Sequence, residues 1–346
     1  MKVVITGAGG FIGSHAAEYM AKEGNEVVAV DNLSRASLLK SGLNMGYNWR
    51  YLANIARIKR TKGDILRPQS ALKEVGDCDA IIHAAAQTAV TASLTDPITD
   101  MHVNLASTLN VLEAARKAKT DPALVFCSTN KVYGDNVNRF PIEENPDSYS
   151  YAGKFIGITE NLSIDRTGHT PYGSSKLAAD IYVQDYAHTY GLNTVVFRMS
   201  CVYGTRQFGV EDQGWVAWFA IASVLQKPIK IYGDGKQVRD VLYVEDVVRA
   251  FELALKNAKK LRGEVFNIGG GPRNKLSLLE LLGILEKRTG RKSKLKFSDW
   301  RPHDQKVYVS DIRKVMNMLG WGPRVDPETG VNRLVGWVEA NRKLFE

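Results

Sequence analysis

Tyr172 and Lys176 stand four residues apart in PYGSSK. The segment SSKLAADIYVQDYAHTYG around them has the pattern of a helix closed by Gly191. Residues four apart on a helix share one face. A phenol with a pKa near 10 is a poor base at neutral pH. An ammonium group one turn away favours the phenolate, and a phenolate can take a proton from a hydroxyl. Such a pair also arises by chance, as an amphipathic helix with an exposed lysine. A second stretch, CSTNKVYG, follows the apolar DPALVF and puts Thr129 at the end of a buried strand. A hydroxyl there can orient another hydroxyl for oxidation; its plain reading is a polar turn.

The first turn of the chain carries Gly7-x-x-Gly10-x-x-Gly13 between the apolar strand KVVIT and a helix that stops at Gly24. Glycines in that position let the backbone turn tightly and approach a pyrophosphate, and the helix N-terminus beyond offers free N–H groups and a positive dipole end. Asp31 ends the next strand, NEVVAVD. A carboxylate there binds both hydroxyls of an adenosine ribose and repels a 2′-phosphate, which favours NAD over NADP. Arg35 tempers this preference, and the plain reading of Asp31 is a turn cap. Gly63 to Ile65, GDI, follow the third strand and edge the adenine, although alone they are an ordinary turn. With NAD bound, a cationic nicotinamide ring adds to the effect of Lys176 on Tyr172.

These residues need a scaffold, and the chain supplies a strand–helix alternation. KVVIT, NEVVAVD, DAIIHAAA, ALVFCST and NTVVFRMS read as strands. NLASTLNVLEAARKAK reads as a helix with Leu105, Leu109, Leu112 and Ala115 on one face. The rhythm predicts an α/β fold: a Rossmann-type doubly wound parallel sheet covered on both faces. Beyond about residue 200 loops rich in Gly, Gln, Trp and Arg and short strands such as IKIYG predict a smaller α+β domain. The expected boundaries are 1–198 and 237–268 for the dinucleotide domain, and 199–236 and 269–346 for the substrate domain. The long polar segment from Asp135 to Thr170 is expected to be a substrate-side cover, because loops of that length are functional or disordered. ARIKRTKGD alternates like an edge strand with its charges in water.

At 346 residues, 44% hydrophobic and 24% charged, the composition is that of a soluble globular protein. No apolar run reaches membrane-spanning length, and the first residues lack the pattern of a secretory signal. Cys78, Cys127 and Cys201 are widely spaced, without metal or disulfide spacing, and a reducing cytoplasm is expected. The net charge of +9 admits nucleic acid as a partner, but no nucleic-acid motif accompanies it. A basic surface with a pocket for an anionic ligand is therefore the preferred reading.

The motifs TGAGGFIGSH, VDNLSR, GDI, HAAA, VNLASTLNVLEAAR, STNKVYG, PYGSSKLAAD, VVFRMSCVYGTRQ, YGDGKQVRDVLYVEDV and FNIGGG span nearly the whole chain. Together they resemble an extended short-chain dehydrogenase/reductase of the nucleotide-sugar type. The resemblance implies a catalytic set of Thr129, Tyr172 and Lys176, and an NAD that is tightly bound and regenerated each cycle. It implies that NAD is held by Gly7, Gly10, Phe11, Ile12, Gly13, Asp31, Asn32, Ser34, Arg35, Asp64, Ile65, Ala84, Ala85, Gln87 and Asn104, besides Tyr172 and Lys176. Dehydratases of this family carry an acidic pair after the catalytic threonine. Here Asn130 and Lys131 follow Thr129, so epimerisation is expected and 4,6-dehydration is not.

STNKVYG, HTPYGSSK, RQFGVEDQGWVAWF and GKQVRDV resemble the CDP-paratose 2-epimerase branch, DQGWV being the most specific part. The implied substrate contacts are Thr88, Thr129, Asn130, Cys201, Gln207, Gln213, Trp215, Val216 and Tyr232, with Arg239 and Arg301 on the diphosphate. Core packing at helical spacing is the plain reading of Trp215 and Trp218. The implied chemistry is oxidation at C2 to a 2-keto sugar, rotation of that sugar in a roomy pocket, and reduction on the other face. Cys201 stands where many relatives have Asn, and Thr129 where 4-epimerases often have Ser. A homodimer or homotetramer is implied, through helices at about 101–118 and 174–190. The rival readings are a 4-epimerase, a 2-epimerase of plain NDP-glucose, and a non-catalytic NAD-sensing or RNA-binding member of the fold.

Overall fold

The computed structural model describes residues 1–38, 46–301 and 304–346. The chain divides into two units, each assembled from three stretches. Unit 1 comprises Met1–Val132, Thr170–Arg198 and Val248–Phe266, and unit 2 comprises Tyr133–His169, Met199–Val247 and Asn267–Glu346.

Unit 1 is built on β1 (Lys2–Thr6), β2 (Glu26–Asp31), β3 (Ile58–Lys62), β4 (Ala80–His83) and β5 (Ala123–Thr129). With the strands Thr194–Met199 and Glu264–Ile268 they form a seven-stranded sheet. From one edge the order is Glu264–Ile268, Thr194–Met199, β5, β4, β1, β2, β3. The pairs β3–β2, β2–β1, β1–β4 and β4–β5 are parallel, with Val4 opposite both Val28 and Ile81. A parallel sheet is covered on both faces, so its strands are apolar throughout. Val3, Val4, Ile5, Ala80, Ile81 and Ile82 are accordingly all fully buried. The strand order reverses between β1 and β4, and the carboxyl ends at such a switch point are where ligands bind in these sheets.

One sheet face is packed by Val111, Leu112, Ala179, Val183 and Tyr186 against Val4, Ile81, Leu124, Phe126 and Val196. The expected helix face is present: Leu112 and Ala115 are buried, and Leu105 and Leu109 pack against the same cluster. The helix itself departs from expectation. After Pro97–Met101, residues His102–Ala106 form a π-helix before the α-helix Ser107–Lys117. The helix Thr170–Tyr190 ends before Gly191 at φ +74°, and α1 (Phe11–Lys22) is closed by Gly24 at φ +84°. The basic strand β3 lies at the sheet edge with Lys59, Arg60 and Lys62 exposed.

In unit 2, Val238–Tyr243 pairs with Cys201–Tyr203, Lys275–Ser277 and Val307–Tyr308. Those ladders carry 237–247 into unit 2, whereas the sequence placed it in the dinucleotide domain. Tyr133–His169, likewise expected within 1–198, also groups with unit 2. Its hairpin Ile142–Glu144/Tyr149–Tyr151 is tied by Tyr149 N–H to the Lys236 carbonyl (2.9 Å), and Ile158 bridges Ser310. The segment is therefore an ordered part of its unit. A parallel pair, Ile229–Tyr232 with Leu295–Ser298, and the helices Trp215–Leu225, Leu278–Thr289 and Pro327–Ala340 belong to the same unit. No described helix is long and apolar enough to cross a membrane.

Candidate active site

The glycine turn links β1 to α1. Gly7 has φ +70°, and a Cβ there would lie 2.6 Å from the Ala85 nitrogen. A Cβ on Gly13 would strike the Gly7 carbonyl, so both positions demand glycine. The Gly10 N–H closes the turn on the Gly7 carbonyl at 3.0 Å. Ala84 and Ala85 complete it from β4, donating to the Thr6 carbonyl (3.2 Å) and Thr6 Oγ1 (3.3 Å). Gly10 caps α1 without a side-chain acceptor, and no acid occupies the first turn. The leading amides of Phe11, Ile12 and Gly13 are thus left to an external anion, which fits the pyrophosphate of NAD.

Asp31, at the end of β2, accepts from Gly9 N–H (2.8 Å, Oδ2) and Leu33 N–H (2.7 Å, Oδ1). It caps its own turn and also ties that turn to the glycine loop. Burial pushes its carboxyl up, while the two amides and the Arg35 charge oppose. Asn32 accepts from Ser34 N–H at 3.0 Å, and Asp64 from Leu66 N–H at 3.1 Å. Ile65 is buried, its carbonyl held by Asn110 Nδ2 at 3.0 Å. Asp31, Asn32 and Asp64 thus lie in hydrogen-bonded turns that follow β2 and β3.

Thr129 ends β5 with its hydroxyl accepting from Lys131 N–H (3.3 Å) and donating to Asn130 Oδ1 (3.4 Å). The same hydroxyl bonds the Tyr172 phenol, and this contact lowers the phenol's pKa. Burial nevertheless wins and pushes Tyr172 up to about 12, with Asp100 and Cys127 adding to the rise. Lys176 is 2% exposed. Its ammonium donates to the Cys127 carbonyl at 2.7 Å and sits 4.1 Å from the centre of the Phe126 ring. Burial brings Lys176 down to about 8, while Cys127, Asp180 and Asp100 hold it up. The expected pull of Lys176 on the phenol is therefore not what this geometry delivers. The lysine spends its hydrogen bond on the strand that carries Thr129, and Thr129 is the phenol's partner.

Gln87 and Asn104, expected on the cofactor, are buried in a cluster with Asp100 and Ser175. Gln87 N–H donates to Asn104 Oδ1 (2.9 Å), and Asn104 Nδ2 donates to Ser175 Oγ (3.0 Å). The π-turn presents Asn104 to this cluster, and 3.6-residue periodicity gives no sign of it. Thr88 is exposed beside it. A second knot lies on the same helix. Asp180 accepts from Ser128 Oγ (2.6 Å), Gln184 Nε2 (2.6 Å) and, in a two-pronged pair, Arg198 Nε and Nη2 (both 3.0 Å).

His83, on β4, was missed by sequence reasoning. Its Nδ1 meets Thr6 Oγ1 at 2.7 Å and its Nε2 meets Thr108 Oγ1 at 3.0 Å. Burial, helped by the Lys176 charge, lowers its pKa to about 3. Between 6.5 and 3 the unfolded chain takes up a proton that the folded chain refuses. Stability from this group is thus complete above pH 6.5 and is lost as pH falls. By pH 4 the loss is about 3 kcal/mol. Urea unfolding at pH 7 and pH 4 should show it, and a His83→Asn variant should lose correspondingly less between the two.

In unit 2 the expected substrate residues form two groups. Trp215 Nε1 donates to Cys201 Sγ at 3.3 Å, and its ring meets Phe219 edge-on. Gln213 and Val210 exchange backbone bonds (3.0 Å each), Gln207 is buried with Nε2 on the Val202 carbonyl (3.3 Å), and Val216 is buried in the following helix. Trp218 is half-buried, its backbone N–H on the Gly214 carbonyl (2.9 Å). The other group adjoins a cavity of about 640 Å³ lined by Asp135, Asn138, Trp300, Arg301, Asp304 and Lys306. Arg301 stacks 4.0 Å over the Tyr232 ring and pairs with Asp212 at 3.0 Å. Arg239 pairs with Asp304 at 2.8 Å, and Tyr232 Oη donates to Glu211 at 2.8 Å. Among the described residues no cluster of His, Cys, Asp or Glu could hold a metal ion.

Comparison with known proteins agrees with this architecture. Residues 3–269 match the NAD dependent epimerase/dehydratase family. The chain is 40% identical to a CDP-paratose 2-epimerase of Salmonella typhi, across 98% of this chain and 100% of that one. It is 33% identical to a UDP-glucuronate 4-epimerase of Thermodesulfobacterium geofontis, across 99% of this chain and 98% of the relative. A crystal structure of UDP-glucuronic acid 4-epimerase from Bacillus cereus, in complex with UDP-glucuronic acid and NAD, superimposes with a TM-score of 0.82. That match has 29% identity and covers 99% of this chain and 100% of the other.

Proposed function

The chain belongs to the NAD dependent epimerase/dehydratase family, and from that premise we propose that it inverts C2 of CDP-paratose to give CDP-tyvelose. NDP-glucose and NDP-mannose form the wider substrate range. The enzyme is an NAD-dependent nucleotide-sugar epimerase. Its assignment to C2 and to a CDP sugar is supported by the full-length relative named CDP-paratose 2-epimerase. The observation that carries epimerisation is the pair after Thr129. Asn130 and Lys131 occupy the positions where a dehydratase needs acids, and Asn130 turns its amide oxygen to the Thr129 hydroxyl at 3.4 Å.

In this reading Thr129 Oγ1 holds the C2 hydroxyl, and Tyr172, ionised to the phenolate with NAD⁺ bound, receives its proton at Oη as the carbon becomes a ketone. The glycine turn and Asp31 would hold NAD, which when bound would supply a hydride acceptor that is regenerated in each turnover. Lys176 fixes the Cys127 carbonyl and with it the end of β5 that presents Thr129. Tyr172 Oη returns the proton to the sugar oxygen after the opposite face has been reduced. Arg239 and Arg301 exchange Asp304 and Asp212 for diphosphate oxygens, which suit the guanidinium fork. A second copy of the chain is the expected partner of the helix Thr170–Tyr190, whose Ile181 and Tyr182 are 46% and 42% exposed.

The test is to give the purified protein CDP-paratose, CDP-glucose, UDP-glucose and GDP-glucose separately, with no added cofactor, and identify each product by NMR. Inversion at C2, strongest with CDP-paratose, is expected. Inversion at C4 or loss of water overturns the proposal. No turnover even with added NAD⁺ moves a non-catalytic role to the front.

A further inference from the structure

Asp100 is fully buried, one turn before Asn104. Three neutral donors hold its carboxylate. Ser175 Oγ reaches Oδ2 at 2.5 Å, while Gln87 Nε2 (2.8 Å) and Asn104 Nδ2 (3.3 Å) reach Oδ1. They come from separate parts of unit 1: the loop after β4, the π-turn, and the helix Thr170–Tyr190. Ser175 lies between Tyr172, which handles the proton, and Lys176, which fixes the end of β5: three after the one and one before the other. Its hydroxyl also touches the Tyr172 carbonyl at 3.1 Å. A buried carboxylate is costly unless its hydrogen bonds and a nearby cation compensate for lost water. Here burial still pushes the carboxyl up, opposed by its three hydrogen bonds and by the Lys176 charge.

We propose that Asp100 is a positioning residue of the reaction: through Ser175 it clamps the turn that carries Tyr172 and Lys176 and sets a carboxylate beside that turn. The inference rests on the reading of Tyr172 as the proton-handling group and of Lys176 as the residue that fixes the end of β5. The groups that set the balance are few. Lys176 faces Asp100, Asp180 on its own helix, and Cys127 on β5; Tyr172 faces Thr129, Asp100 and Cys127. Asp100 supplies the charge on the π-turn side. Without it the ammonium would be opposed by burial with less compensation, and its hold on the Cys127 carbonyl would weaken as pH rises.

The test is an Asp100→Asn variant read in two ways. Lysine labelled with ¹³C at Cε, with the Lys176 resonance assigned by a Lys176→Met variant, gives the midpoint without substrate. The kcat profile against pH is measured on whichever nucleotide sugar the unaltered enzyme turns over. Asp100→Asn is expected to lower the lysine midpoint by about one pH unit and to move the alkaline limb of kcat by the same amount. Asp100→Glu, which keeps the charge, should restore both. An unchanged lysine midpoint in Asp100→Asn overturns the inference, whatever happens to stability. Should that variant fail to fold, Ser175→Ala must lower kcat about tenfold without moving the lysine midpoint, and an unaltered kcat overturns the clamp. Absence of any turnover by the unaltered enzyme would defeat the epimerase reading alone, since the NMR midpoint stands independently.

Discussion

Replacing Tyr172 by phenylalanine is expected to lower turnover by about a thousandfold, within the range that general acid–base groups contribute. The substitution removes one oxygen and leaves the ring that fills the site, where Tyr172 is 8% exposed. The fold should therefore be kept, as should the glycine turn and Asp31 that we propose hold NAD. Burial that pushes the phenol up to about 12 keeps Tyr172 protonated in the free protein, so the positive charge that bound NAD⁺ would bring must lower it before the phenolate can accept the substrate's proton. No other described side chain bonds Thr129 in that position with a titratable oxygen. Circular dichroism, the amount of NAD that copurifies, and turnover under substrate saturation check the three parts separately. Turnover within tenfold of the unaltered enzyme would remove Tyr172 from the mechanism.

Arg198→Met carries the largest expected loss of stability, about 3–5 kcal/mol. Asp180 is fully buried and Arg198 is 5% exposed, so losing the guanidinium strands a carboxylate without its cation. Ser128 and Gln184 would remain as neutral donors, each at 2.6 Å. A double variant, Asp180→Leu with Arg198→Met, should recover much of the loss, because two apolar groups leave no buried charge. Urea unfolding of the four proteins in the cycle measures this. A single-variant loss below about 1 kcal/mol would put the pair in the class of surface salt bridges. Because Ser128 adjoins Thr129 and Asp180 lies one turn beyond Lys176, activity should fall along with stability in Arg198→Met.

Much of unit 1 was legible because its signals are local. The strand KVVIT runs into three glycines, and the turn they form follows from φ +70° at Gly7 and the crowding at Gly13. Asp31 was read at the end of β2, where it stands, and Tyr172 and Lys176 do share a helix. What escaped was decided by contacts distant in sequence. The partner of Lys176 is a main-chain carbonyl on β5, forty-nine residues away, and no pattern of residue types announces a backbone acceptor. The π-turn at His102–Ala106 hides within an apolar repeat that fits an ordinary helix. Asp100 was not singled out in the sequence, yet it is fully buried. In unit 2, Arg239 and Arg301 were read as cations for a diphosphate. That they rest on Asp304 and Asp212 depends on loop geometry that spacing does not encode. The segment Tyr133–His169 looked like a long loop because its order comes from Lys236, Ser310 and Asn267, each far along the chain.

The interleaving of the two units has a consequence for how the protein comes off the ribosome. The seven-stranded sheet needs Glu264–Ile268 as an outer strand, so it cannot be whole until residue 268 of 346 has emerged. Until then Thr194–Met199 offers an unpaired, fully buried-type edge to its surroundings, and such edges recruit other chains. Contacts of that sequence separation are slow to form, and large chains expose apolar surface while they wait. Yield in a heterologous host should consequently be governed by translation rate and chaperone supply more than by the stability of the finished enzyme.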